Sequence, residues 1–132
     1  MNRVTRDYIN ELEENEVFVF GSNKQGMHFG GAAYFAYQKF GAKMGVGEGL
    51  TGQSYALPTM EGKESFKEAV STFIAFAKEN PTKKFLVTKV GCGIAGYAVE
   101  DVAPMFAEAI DLVNVFLPQE FWEFYNTKKS NN

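Results

Sequence analysis

The amino-acid sequence predicts an α/β domain: a mostly parallel or mixed central sheet in a three-layer α/β/α arrangement. Three observations carry that expectation. Short apolar runs of strand length alternate with amphipathic stretches of helix length. The first run, VFVF at 17–20, is apolar throughout, as in strands covered on both faces. Two of the strands lead directly into glycine-rich turns, GSNKQG after Phe20 and GCGIAG after Val90.

Each element has its own signal. VTRDYINELEEN at 4–15 sets Val4, Tyr8 and Leu12 at helical spacing and predicts a short amphipathic lead-in. The VFVF strand follows, then a helix over AAYFAYQKF, stopped by Gly41. GAKMGVGEGLTGQ, with five glycines from Gly41 to Gly52, is too flexible for a regular element. SYALPT at 54–59 predicts a strand with Pro58 near its end, where no ladder N–H is needed. ESFKEAVSTFIAFAKEN places Phe66, Val70, Phe73, Ile74 and Ala77 on one helical face. Ser65 and Glu68 have capping-box spacing, and Asn80-Pro81 ends the helix. KFLVTKV at 84–90 predicts the next strand. The stretch 99–113 carries a helical apolar face including Val113, with Pro104 acceptable only in a first turn. NVFLP at 114–118 predicts a last strand, and Pro118 opens a short aromatic helix, QEFWEFY.

Composition narrows the function classes. A chain of 132 residues, 45% hydrophobic and 22% charged, fits one globular domain over 1–126 with a polar, frayed tail over 127–132. A net charge of -3 without a basic run argues against a nucleic-acid partner. The single cysteine, Cys92, excludes an internal disulfide framework and fits a reducing compartment. With neither a leader-like segment nor an apolar run of bilayer length, the expected location is cytoplasmic, with no membrane partner.

Ligands of open α/β sheets bind beyond the carboxyl ends of the strands, where both glycine loops lie. Glycine lets backbone approach a ligand closely, and a helix N-terminus that follows favours an anion. Two such loops, feeding helices near Gly30 and Val99, would suit a diphosphate. GSNKQGMH lacks the G-x-x-x-x-G-K-[ST] pattern, and GVGEG neither follows a strand nor opens a helix. The usual markers of nucleoside-triphosphate hydrolysis and dinucleotide-dependent hydride transfer are therefore absent. No cofactor and no metal are expected.

GSN…GGAAYFAYQKFG together with TKVGCGIAGYAVEDVAPMF resembles the macrodomain family, which binds ADP-ribose and its derivatives. The second segment is most similar to the branch containing the terminal ADP-ribose glycohydrolases. The resemblance covers about 17–113 in the order of elements as well as motifs. It implies a macrodomain-like fold. It also implies a first wall of Gly21, Ser22, Asn23, Gly30, Gly31, Ala32 and Ala33, with Asn23 near the distal ribose. The second wall would be Gly91, Cys92, Gly93, Ile94, Ala95, Gly96 and Tyr97. The glycohydrolase branch carries an Asp after its Gly-Cys-Gly-aliphatic turn and a Lys after the preceding strand. Here those places hold Ala95, then Met60 and Glu61, with Lys63 offset.

Catalytic candidates follow from chemistry. Glu48, amid glycines, has room to activate a water for attack on an anomeric carbon, or is a solvated loop charge. His28, the one histidine, is a general base or ribose contact, or simply a polar loop residue. Cys92 fits a small packing residue better than a nucleophile. Tyr97 is the aromatic side chain best placed to meet a base at the loop mouth. The expected function is binding of ADP-ribose or a related nucleotide diphosphate; whether an ADP-ribosyl bond is also hydrolysed, through Glu48 or His28, stays open in the sequence. A non-catalytic reader and an interaction domain with a vestigial site are the alternatives.

Overall fold

The computed structural model describes residues 2–130. Among them lie five strands and four helices. In chain order these are β1 (Glu16–Ser22), α1 (Gly31–Lys39), β2 (Gly49–Thr51), β3 (Ser54–Pro58), α2 (Lys63–Glu79), β4 (Lys84–Val87), α3 (Val99–Val102), β5 (Val115–Phe116) and α4 (Gln119–Ser130). A 3₁₀ segment, Ala103–Asp111, continues α3. No helix among the described residues is long and apolar enough to cross a membrane.

The five strands form one mixed sheet in the order β2-β3-β1-β4-β5. β1 pairs in parallel with β3 and β4, β4 in parallel with β5, and only β2 runs antiparallel, against β3. The alternating pleat of β1 divides the core in two. Val17 and Val19 pack with α2, α3 and its 3₁₀ continuation, and α4. Phe18 and Phe20 pack with α1 and Ile9. β3 and β4 divide likewise: Leu57, Phe85 and Val87 face one cluster, Ala56 and Leu86 the other. A strand apolar on both faces is what this position demands, so VFVF is explained by its place at the sheet's centre. α2 buries the expected Phe66, Val70, Phe73, Ile74 and Ala77, and Phe73 meets the rings of Tyr55, Phe85 and Phe106.

Several elements differ from expectation. Residues 4–15 form no helix. Val4 instead bridges Leu117 in parallel, through Thr5 N–H to the Leu117 carbonyl (2.9 Å) and Leu117 N–H to the Arg3 carbonyl (3.1 Å). The sheet edge beyond β5 offers unpaired backbone groups, and satisfying them outweighs the weak helical periodicity. Arg3 fixes the segment further. Its guanidinium donates to carbonyls at the end of the 3₁₀ segment, Ile110 and Leu112 among them, and lies over the Trp122 ring. Carbonyls at a helix end lack partners further along the helix; Leu112's also accepts from Val115 N–H at 3.1 Å.

α2 is capped by Gly62 (φ 98°), three residues before Ser65, so Ser65 and Glu68 lie inside the helix and do not form the expected capping box. β4 ends at Val87, three residues before Val90. Val113 lies beyond the 3₁₀ segment and is exposed. Pro104 does sit in a first turn, that of the 3₁₀ segment. The glycine-rich stretch after α1 holds one short strand, β2. The backbone of α4 stays helical through Ser130; residues 131–132 of the expected tail lie outside the described residues.

Candidate functional site

The loop after β1 is built by backbone-to-backbone contact with residues 42–48. Gly26 (φ 72°) approaches Gly45 and Val46 so closely that a Cβ there would lie 2.4 Å from their backbone. A Cβ on Gly47 would lie 2.2 Å from the Asn23 carbonyl oxygen. Glycine is needed at both places for steric reasons alone. Gly45 N–H donates to the Gly26 carbonyl at 2.8 Å, and the Ser22 hydroxyl donates to the Gly47 carbonyl. Asn23 closes the turn: its Oδ1 accepts from Met27 N–H at 2.9 Å, and its Nδ2 donates to the Met27 carbonyl at 3.2 Å.

His28 lies beneath this loop, fully buried. Its ring meets Phe20 edge-on at 5.2 Å. The contact between its Nε2 and the Val46 carbonyl, 3.1 Å, requires the proton on Nε2, because a carbonyl can only accept. Nδ1 has no hydrogen-bond partner among the described residues. The expectation that His28 acts as a base or ribose contact is thereby corrected: it is a strut between two loops, sealed from solvent.

The loop after β4 is fastened at both ends. The Thr88 hydroxyl donates to the Val19 carbonyl at 2.7 Å, and Tyr97 N–H donates to the Gly91 carbonyl at 2.9 Å. Gly91 (φ 77°) lies where a Cβ would meet the Phe66 ring at 2.4 Å. The Tyr97 ring packs on the same Phe66 at 5.4 Å, so it faces the core and not the loop mouth. Cys92 is half-buried against the core, and burial pushes its thiol up, away from the thiolate a nucleophile needs.

The two loops converge on one cleft of about 410 Å³. From the first wall it is lined by Gly21, Ser22, Asn23, Gly30, Gly31, Ala32 and Ala33. From the second it is lined by Gly91, Gly93, Ile94 and Ala95. Cys92, Gly96 and Tyr97 do not line it, nor do His28 and Glu48. The helix start near Val99 does not border it either, and the Asp101 carboxylate accepts from Ala98 N–H there. Of the two expected helix N-termini, only that of α1 faces the cleft. Gly30, with extended backbone (φ -154°), and Gly31 (φ 58°) open it, leaving the first N–H groups of α1 without intrahelical partners. Asn23 lines the cleft, but its amide is engaged by Met27.

Glu48 is exposed and lies apart from the cleft, near Tyr55. Burial pushes the Tyr55 phenol up to about 12, and the Glu48 charge adds to the shift.

Residues outside the two expected walls complete the site. Thr59, Met60, Thr88, Lys89 and Val90 border the cleft, as do Met27 and Phe29. A second compartment of about 540 Å³ shares Gly31, Ala32, Thr88 and Lys89 with it. Its far walls are residues 5–10 and 118–120. The first of these walls is the segment expected to be a helix, so its side chains had no predicted place. Arg6 secures it through Glu16, with contacts of 3.0 and 3.1 Å. Burial pushes Glu16 up, but the hydrogen bond from Arg6, the Glu13 N–H and the nearby cations outweigh it and hold the carboxyl below its ordinary range. For Lys89 the signal was present: a charge two residues before GCG, just beyond the end of a buried strand, sits where α/β sheets bind ligands.

Comparison with known protein families, curated proteins and solved structures gives no match to this chain.

Two outcomes follow for the corrected residues. His28→Ala removes a buried ring and a hydrogen bond, so chemical denaturation should register a loss of about 2–4 kcal/mol. Unchanged stability would mean the ring is no strut. Glu48→Gln should lower the pH at which Tyr55 ionises, read by ultraviolet difference titration. The folded phenol titrates above its unfolded value of about 10, so the stability linked to it is present below pH 10 and lost as pH rises through about 12. A Tyr55 titration indifferent to the substitution would place Glu48 elsewhere.

Proposed function

We propose that the chain is a macrodomain-like three-layer α/β/α module that binds ADP-ribose or a related nucleotide diphosphate without turning it over. One observation carries this reading: the two glycine loops, far apart in sequence, border a single cleft with the α1 N-terminus and Lys89. Backbone N–H groups and one cation suit a diphosphate. The cleft and the compartment beside it fall within the usual size of small-ligand sites. In this reading the diphosphate lies between the loops and the nucleoside in the adjoining compartment. There Tyr8, 85% exposed, offers a ring for stacking and Asp7 an acceptor.

Binding is favoured over hydrolysis because neither expected catalytic group borders the cleft: His28 is sealed beneath the first loop, and Glu48 faces another part of the surface. Cys92 stays a protonated packing residue, and Ala95 stands where the resembling hydrolases carry an Asp.

Calorimetric titration with ADP-ribose, followed by product analysis, tests this directly. Heat of binding without product is the expected result. Gly30→Glu and Gly93→Glu are the informative variants. Both glycines line the cleft, have open space within 4 Å of where a Cβ would stand, and do not require positive φ. The fold should therefore tolerate each side chain while its carboxylate repels a diphosphate. Affinity should fall at least about tenfold, or 1.4 kcal/mol, with an unchanged melting temperature. Two variants that bind as well as the parent would refute the site.

A further inference from the structure

Lys89 is rooted at the junction of the two compartments and lines both. Its backbone is fixed, since Cys92 N–H donates to the Lys89 carbonyl at 3.2 Å and the neighbouring Thr88 hydroxyl is held on β1. Its ammonium donates to Glu120 Oε2 at 3.1 Å, and the two side chains are 54% and 44% exposed. The other cation lining these compartments, Arg6, is already committed to Glu16 and to the Glu11 carbonyl. An anion entering the cleft therefore meets one exchangeable cation among the described residues, and that cation already has a partner.

We propose that Lys89 and Glu120 form an exchangeable ion pair. The diphosphate of the ligand takes Glu120's place on Lys89, and the released carboxylate accepts a hydrogen bond from the uncharged part of the ligand in the adjoining compartment. The inference rests on the nucleotide diphosphate reading of the cleft and goes beyond it by naming how anion and nucleoside are sensed together.

The physical chemistry favours the exchange. A half-exposed ion pair contributes little net stability, so separating it costs little. A diphosphate carries more charge than one carboxylate and offers several acceptor oxygens. Glu120 remains ionised once released. Its own backbone N–H, ahead of Lys89, holds its carboxyl below the ordinary range, and at 44% exposure water solvates the released charge. At the start of α4 the freed carboxylate also keeps a favourable position on the helix dipole. The pair thus selects a ligand with an anionic centre at the junction and a hydroxyl or amino donor beyond it.

Calorimetry with two probes, inorganic pyrophosphate and ADP-ribose, tests the exchange on the parent chain and on Lys89→Gln, Lys89→Arg and Glu120→Gln. Lys89→Gln should weaken pyrophosphate binding by about 10- to 100-fold, the loss of a charge-assisted hydrogen bond. Lys89→Arg should restore most of it. Glu120→Gln should bind pyrophosphate roughly threefold to tenfold more tightly, because the competitor is gone. The same variant should gain less, or lose affinity, toward ADP-ribose, because the acceptor is gone too. A tightening cannot come from misfolding, and melting curves identify any folding defect in the Lys89 variants. Indifference of pyrophosphate binding to Lys89→Gln, or an equal change for both probes in Glu120→Gln, overturns the exchange even if ADP-ribose binds. If pyrophosphate obeys the pattern while ADP-ribose does not bind the parent, the nucleotide reading fails and the ion exchange at Lys89 stands.

Discussion

Parallel pairing on both sides of β1 decides where everything else can lie. Because β3 and β4 run in the same direction as β1, all three strands deliver their carboxyl ends to one edge of the sheet. The loops after Ser22 and Val87, and the turn after Pro58, therefore leave side by side although they are tens of residues apart in sequence. Their convergence needs no side-chain contact between them. It follows from strand direction, which the crossover connections through α1 and α2 set; the same crossovers cover both faces of β1 and make it apolar throughout.

A second constraint gives the edge its shape. The loop after β1 rests on residues 42–48 at a distance only glycines permit, with His28 filling the space below. On the other side, Gly91 and Tyr97 bring the second loop against Phe66. Much of the glycine in both loops thus serves loop-to-loop and loop-to-core packing. A smaller set, Gly30 and Gly93 above all, leaves open space at the cleft. The abundance of glycine alone would not distinguish these roles; the neighbours of each absent Cβ do.

Four of the five strands, the main helices and the two converging loops were legible because their signals are local: VFVF, the face of α2, and glycine runs after strands; β2, three residues inside a glycine-rich stretch, was not. The N-terminal segment was not. Its helical spacing is genuine in the sequence, but the open edge at Leu117 and the carbonyls met by Arg3 lie more than a hundred residues away. The adjoining compartment was invisible for the same reason, since that segment forms one of its walls. His28 and Glu48 misled because residue type suggested chemistry while burial and loop direction placed them elsewhere. Lys89 was readable from its place before GCG, but its pairing with Glu120 depends on where α4 begins.

Three features of this edge support the proposed reading: the open N-terminus of α1, the Lys89–Glu120 pair at the junction, and a roomier chamber beside it. The apolar side chains at the rim, Phe29 and Ile94 among them, are strongly exposed and would lose solvent contact over a bound ligand. The most direct measurement is the map of backbone amide shifts in nuclear magnetic resonance spectra as ADP-ribose is added to the full chain. The account predicts that the largest changes fall at residues 21–23, 30–33 and 89–95, from both loops together. Spectra unchanged at high ligand concentration, or changes confined to surfaces away from both loops, would contradict it.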